Sequence, residues 1–202
     1  MTIKSGIFND INIHLLEDEK PSLYFNEISE SSLFEQYPLT LLNRLKETNQ
    51  SPKHHPEGNV WNHTMLVVDE AAGVKNESND KKVFMWAALL HDIGKPATTK
   101  IRKGKITSYD HDKVGAELAK KFLIELADDE IFIDRVVKLI RWHMQILFVV
   151  NNLPYADVKT MKKQADLKEI ALLGLCDRLG RLEADREQEE NNIRMFLQKC
   201  SV

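Results

Sequence analysis

Cysteine is almost missing from this chain of 202 residues: Cys176 and Cys200 are the only two, and the first sits in an apolar helical pattern. A disulfide framework is therefore excluded as the organising principle, and a reducing cytoplasm is the expected compartment. The N-terminus Met-Thr-Ile-Lys-Ser-Gly lacks the apolar centre of a signal peptide, and no uncharged apolar run approaches the length that spans a bilayer. Runs of β-branched residues with period two are nearly absent, which argues against a sheet protein. Excess charge is missing too: at a net charge of -3, bulk electrostatics give no sign of a nucleic-acid surface, although a local basic groove would not show in the total. No internal repeat or low-complexity segment stands out.

What is present is an ordinary globular composition, 43% hydrophobic and 29% charged, long enough for one sizeable core. Apolar residues recur at spacings of three and four, so the expected fold is an all-α bundle in a single domain covering 1–202: an extension at 1–38, a core at 39–181 and a last helix at 182–202. Helices are expected from Ile11 to Lys20, Pro21 to Glu30, Leu39 to Lys46, Val60 to Lys75, Asp80 to Asp92 with Asn79 as cap, Asp110 to Ala127 and Asp129 to His143. After a loop come Pro154 to Gln164, Asp166 to Gly180 and a charged helix from Arg181 to Lys199. The stretch Asn49 to Gly58 reads as a loop, and one small β-hairpin is expected near residues 99–108, turning at Lys103-Gly104. The first 35 residues carry no evident chemistry and are expected to cover the core.

The chemistry gathers around Trp86-Ala-Ala-Leu-Leu-His-Asp-Ile-Gly-Lys-Pro96, an apolar helical run that breaks just after an imidazole and a carboxylate. His91 shares a stripe with Phe84, Ala87 and Ala88, so it faces the core. Asp92 lies about 100° further round, where the helix ends and the carboxylate can still swing inward. By the same periodicity His63 aligns with Val60, Leu66 and Val67, Asp177 with Ile170, Leu173 and Gly174, and His143 with Val136 and Ile140. Each residue alone reads as a satisfied core group or an ion pair, as Asp177 with Arg178 or Arg181. Four helices presenting such groups to one small core are satisfied most simply by each other or by a metal. His63, His91, Asp92 and Asp177 offer two nitrogens and two carboxylates, a set suited to Mn²⁺, Fe²⁺, Co²⁺, Ni²⁺, Zn²⁺ or Mg²⁺ with positions left open for water and substrate.

A second pair, His111-Asp112, opens a helix with no apolar run before it, and Asp110 or Asp112 can simply serve that helix's N-terminus. His111 and His143 are candidates for phosphate contacts or for a second metal. Lys95 is placed to bring an ammonium to the site's edge, where a phosphate oxygen is a natural partner, and its alternative is a solvated loop lysine. His54, His55 and Glu57 line the mouth of the site or form a plain polar loop.

With these residues in place the sequence resembles the HD-domain metal-dependent phosphohydrolases, whose motif is a histidine, a His-Asp pair and a distant aspartate, here His63, His91-Asp92 and Asp177. The segments His55-Pro-Glu-Gly-Asn-Val-Trp-Asn-His-Thr64, Ala88-Leu-Leu-His-Asp-Ile-Gly-Lys-Pro-Ala-Thr-Thr99 and His111-Asp-Lys-Val-Gly-Ala116 are similar to the HD domain attached to bacterial tRNA nucleotidyltransferases and poly(A) polymerases. The resemblance implies an all-helical fold with metal between the helices and, in some members, phosphatase, nucleotidase and 2',3'-cyclic phosphodiesterase activities. Two departures stand out. A Gly-Ser followed by paired aspartates is lacking, so CCA addition and polyadenylation are not expected, and Asp110 stands where those relatives commonly have glycine.

The expectation is thus a stand-alone cytoplasmic metal-dependent phosphohydrolase. His63, His91, Asp92 and Asp177 hold the ion, Asp92 also orients water, Lys95, His111 and His143 stabilise the phosphoryl group, and His55 adds a substrate contact. Expected partners are a phosphorylated small molecule, a nucleotide or an RNA end, with no membrane. Two alternatives stay open: a di-iron oxygenase in which His111 and His143 complete a six-ligand set, and a non-catalytic module binding RNA or protein.

Overall fold

The computed structural model describes residues 3–201. In chain order it contains α1 (Ile3–Glu17), α2 (Pro21–Ile28), the single turn α3 (Thr40–Asn43), α4 (Val60–Val74), α5 (Lys81–Leu90), the single turn α6 (Lys95–Thr98), the antiparallel strands β1 (Thr99–Arg102) and β2 (Lys105–Ser108), α7 (His111–Ile124), α8 (Glu130–Trp142), α9 (Gln145–Val150), α10 (Val158–Gln164), α11 (Leu167–Leu179) and α12 (Arg186–Ser201). The expected all-α class with one hairpin is what folds. Among the described residues no helix is long and apolar enough to cross a membrane.

α5 is the axis of the bundle. Every residue from Val83 to Leu90 is buried, and the helix packs against α1, α4, α8 and α11. An all-round apolar helix is stable only when surrounded in this way, and each large side chain so buried contributes about 1.5–3 kcal/mol. The first 35 residues supply part of this surround: Ile11, Leu15, Phe25 and Phe34 are fully buried, and Phe8 stacks on Trp86 at 4.9 Å. Two indoles tie them down, Trp86 Nε1 donating to Asn12 Oδ1 at 3.2 Å and Trp61 Nε1 to Asn26 Oδ1 at 2.8 Å.

Several boundaries differ from the expected ones. α1 begins at Ile3 rather than Ile11, and the Leu39–Lys46 helix shrinks to a single turn. Asp80, not Asn79, caps α5 by accepting from Val83 N at 3.1 Å, while the Asn79 backbone N–H donates to Glu169 Oε1 at 2.8 Å. Residues 145–150, expected as loop, form α9, whose Ile146 and Val149 are buried. α10 starts at Val158 behind Asp157, which accepts from Thr160 N at 3.0 Å, and α12 starts at Arg186 rather than Arg181. α12 is more than a solvated face: Phe196 and Cys200 on it are fully buried, and both cysteines are free.

The hairpin pairs Thr99 with Ser108, Lys100 with Thr107, Ile101 with Ile106 and Arg102 with Lys105. Its two-residue loop has φ of 49° at Lys103 and 73° at Gly104, the pair of positive values a type I′ turn demands. Lysine is strained at the first of these. Lys103→Asn is expected to raise stability by about 0.5–1 kcal/mol, read as a rise of about 1–4 °C in the melting midpoint.

Candidate metal centre

Four histidines converge on one point because of what their other ring nitrogens do. His91, His111 and His143 each bring Nδ1 to the carbonyl three residues earlier, on Ala88, Ser108 and Ile140, at 2.8, 2.7 and 2.7 Å. A carbonyl only accepts, so each Nδ1 carries the proton and each Nε2 presents a lone pair. His63 is fixed from the side: its Nδ1 lies 3.0 Å from Glu57 Oε1 and 3.3 Å from the Gly180 carbonyl, which leaves Nε2 facing Asp177 Oδ1 at 2.9 Å. Hydrogen bonding of the outer nitrogen to a carboxylate or carbonyl is the device by which metal-binding histidines are oriented.

Asp92 sits at the centre. Its Oδ2 lies 3.3 Å from His91 Nε2, 3.8 Å from His63 Nε2 and 2.7 Å from Lys95 Nζ, while its Oδ1 lies 3.5 Å from His111 Nε2. His91 Nε2 also lies 4.0 Å from Asp177 Oδ1, and His111 Nε2 is 3.3 Å from His143 Nε2. His63, His91, Asp92 and His143 are at most 2% exposed, and His111 and Asp177 are buried as well. The structure therefore brings His63, His91, Asp92, Asp177, His111 and His143 together.

Two of these buried atoms, His91 Nε2 and Asp92 Oδ2, lack a directed hydrogen bond. Asp92 Oδ2 has the Lys95 ammonium beside it at 2.7 Å, whereas His91 Nε2 is a buried acceptor without a donor, which is costly unless a cation meets it. Two donor groups have ligand atoms within 4.8 Å of one another and share Asp92: His63, His91 and Asp92, then Asp92, His111 and His143. The orphaned atoms and the nitrogen-plus-carboxylate donor set fit a divalent ion. A third group, His55, Glu57 and His63, lies behind His63. There Glu57 Oε1 sits between the two Nδ1 atoms, 2.8 Å from His55 and 3.0 Å from His63, an arrangement that orients His63.

The electrostatics agree with a site poised for a cation. Burial alone would raise Asp92, but the Lys95 ammonium, His91 and His111 outweigh it and hold the carboxyl well below the usual range. Asp177 is held well below that range against its own burial by His63 and Arg181. His63 moves up despite burial, through Asp177 and Glu57. Burial and the neighbouring His111 and His91 push His143 down to about 4, and burial together with Lys95 and His63 pushes His55 down to about 4.

An acid sensitivity of the metal-free protein follows. A histidine whose folded pKa is depressed takes up its proton in the unfolded chain first, so stability falls as pH drops from about 6.5 towards 4. His63, with its raised pKa, contributes fully below its unfolded value and does not offset this. His143 is expected to remove on the order of 2–3 kcal/mol across that window, measured by urea unfolding at stepped pH. The His143→Gln variant should flatten the slope.

The other polar groups divide between this site and separate partners. Lys95 is no solvated loop lysine: it is buried and donates to Gln50 Oε1 at 2.6 Å. Arg178 turns away from Asp177 to pair with Glu189 at 2.8 Å, leaving only Arg181, 3.9 Å off, near that carboxylate. Asp110 does not cap α7 and points away from the site, with its carboxylate 62% exposed and 2.7 Å from Lys113. Its φ of 59° gives the reason glycine suits this place: the backbone is left-handed. Asp112 serves Arg141 at 2.5 Å rather than a metal. His54 is exposed. The orienting role of Glu57 and the Gln50 contact were not legible; a loop carboxylate two residues from His55 was the available sign.

The sequence profile of the HD domain matches residues 60–182, the stretch from the start of α4 to just past Asp177. The chain belongs to the HD domain family. That places it in a superfamily of metal-dependent phosphohydrolases, and the His and Asp groups of this HD domain are of the kind that holds a divalent ion. Among curated proteins it is similar to the Multifunctional CCA protein of Halorhodospira halophila, 34% identical over 95 residues, 47% of this chain and 21% of that protein. It is 24% identical over 191 residues to the Multifunctional CCA protein of Methylococcus capsulatus, covering 93% of this chain and 38% of the relative. The A-adding tRNA nucleotidyltransferase of Deinococcus radiodurans is 34% identical over 107 residues, 52% of this chain and 22% of its own. The HD chain thus spans between about a fifth and two fifths of these relatives' length.

Proposed function

We propose that this HD domain is a metal-dependent phosphohydrolase whose substrate is a phosphoester of a nucleotide, a cyclic nucleotide or an RNA end. The observation that carries the reading is the buried, unpartnered His91 Nε2 beside Asp92 Oδ2 at 3.3 Å, with His63 Nε2 and Asp177 Oδ1 flanking the two. Four residues, His63, His91, Asp92 and Asp177, would hold the ion. When bound, a divalent ion supplies Lewis-acid polarisation of a phosphoryl oxygen and makes water acidic enough to attack at neutral pH. The protein's own share is positioning. Asp92, fixed as a carboxylate by Lys95, accepts a hydrogen bond from the attacking water and orients it. Lys95 supplies the donor for the charge that builds on the phosphoryl oxygens, His111 and His143 face the same oxygens through Nε2 and donate there only once protonated, and His55 lines the approach. The nucleotide or RNA preference is supported by the name of one relative, the A-adding tRNA nucleotidyltransferase of Deinococcus radiodurans.

The second donor group, Asp92 with His111 and His143, favours one other reading, in which His111 and His143 would complete a six-ligand set able to hold two irons and the reaction would be an oxygenation. One experiment separates the two. Protein purified in air is assayed with Mn²⁺, Ni²⁺ or Mg²⁺ against nucleoside 2'-, 3'- and 5'-monophosphates and 2',3'-cyclic nucleotides. The proposal expects phosphate release by a colourless protein, abolished by Asp177→Ala. An iron absorption band without hydrolysis favours the oxygenase, and activity that survives Asp177→Ala with the metal still bound contradicts the proposed ligand set.

A further inference from the structure

We propose that the hairpin Thr99–Ser108 is a nucleic-acid-binding arm that delivers the end of a single strand to the metal centre. This deepens the phosphohydrolase reading and rests on it only for what happens after binding. From Lys95 to Tyr109 the chain holds five cations and no acidic residue, in a protein whose net charge is -3. The electropositive stretch is therefore local, as the whole-chain charge conceals.

The register sorts this charge onto one side. Directly paired residues share a face, so Lys100, Arg102, Lys105 and Thr107 stand together, while Thr99, Ser108, Ile101 and Ile106 occupy the other face. Along β1 the cations recur at about 7 Å, and the side chains of Lys100, Lys103 and Lys105 have no hydrogen-bond or ion-pair partner among the described residues. The Arg102 guanidinium lies 5.0 Å from the ring centroid of Tyr109, and that ring is 60% exposed. Cations for phosphates beside an open aromatic for a base are the two parts of a single-strand platform. Lysine at the left-handed position 103 adds one more charge where glycine or asparagine would sit more easily.

The arm is also tied to the chemistry at both ends. β1 continues directly from α6, which carries Lys95, and the Ser108 carbonyl ending β2 accepts from His111 Nδ1 at 2.7 Å. A strand lying on the cationic face is thereby led towards His111 and Asp92. An isolated mononucleotide would leave the outer cations unused.

The test is fluorescence anisotropy with a labelled single-stranded RNA of about a dozen nucleotides, with the matching DNA and inorganic polyphosphate as competitors. Wild-type protein is compared with Tyr109→Ala and with the triple variant K100Q/R102Q/K105Q, whose folding is checked by thermal melt. The triple variant should bind more than about tenfold more weakly, with the log-log salt slope shallower by about 2, as three lost phosphate contacts predict. Tyr109→Ala should weaken binding roughly tenfold while leaving the slope unchanged. Wild-type hydrolysis of bis-4-nitrophenyl phosphate, too small to reach the arm, should persist in both variants. RNA binding that is absent in wild type, or equal in the triple variant, overturns the arm. Polyphosphate competing as well as RNA, with Tyr109→Ala silent, overturns its assignment to nucleic acid. Failure of the small ester to react in any protein instead counts against the phosphohydrolase reading, and the anisotropy result stands apart from it.

Discussion

Asp92→Ala is expected to lower metal-dependent phosphoester hydrolysis more than about 100-fold, beyond the 10- to 100-fold that loss of an outer-shell partner costs, and to lower metal affinity with it. Asp92 touches both donor groups, His63 and His91 through Oδ2 and His111 through Oδ1, so no other residue in the site serves as its substitute. The same change acts on the metal-free protein by a separate route. Lys95 is buried, and its Nζ loses the carboxylate oxygen 2.7 Å away, retaining among the described residues Gln50 Oε1. Removing one member of a buried ion pair costs about 3–5 kcal/mol because the other charge stays uncompensated. A double change, D92A with K95M, should recover most of that stability and none of the metal binding. Chemical denaturation and isothermal titration with Mn²⁺ read the two effects separately.

Gly94→Ala is expected to be the most damaging change outside the ligands. A Cβ at this position would lie 2.2 Å from the His111 carbonyl oxygen and 2.5 Å from the Gly115 amide nitrogen. Both are backbone atoms of α7, so no side chain can swing aside, and the turn between Asp92 and Lys95 must separate from α7. The expected loss is more than about 3 kcal/mol, or about 6–12 °C in the melting midpoint, with His111 carried away from Asp92. Gly115→Ala is the control: its Cβ meets nothing nearer than Gly94 N at 3.4 Å, and the gain in helix propensity offsets the tight contact. A net change below about 1 kcal/mol is expected there.

The contrast between these two glycines shows what a sequence carries and what it does not. The stripe positions of His63, His91, His143 and Asp177 were legible because helical period is a local property, and burial of an imidazole follows from its apolar neighbours at three and four. The hairpin was legible from Lys103-Gly104. Glu57 and Gln50 were not, because their roles depend on how the loop before α4 folds back over His63 and Lys95, a contact between segments that no periodicity encodes. α9 was missed for a related reason: Ile146 and Val149 lie in a run too short to display a period, and its helix is fixed by packing against α12. The charges of Arg178 and Asp110 sit where the sequence puts them beside the site, yet Glu189 and Lys113 draw them elsewhere.

The most direct test is equilibrium dialysis of the chelator-treated wild-type protein and of His91→Ala against Mn²⁺ or Ni²⁺, followed by elemental analysis of the protein fraction. Among the described residues His91 Nε2 faces Asp92 and Asp177, and because the ring is fully buried the fold of the variant is checked by thermal melt, so that lost uptake by a folded protein reports the ligand set. The account predicts stoichiometric uptake by the wild-type chain and loss of that uptake in His91→Ala. A wild-type protein that takes up no divalent ion, or a His91→Ala protein that takes it up as well as wild type, would contradict the central claim that the broken end of α5 is a metal centre.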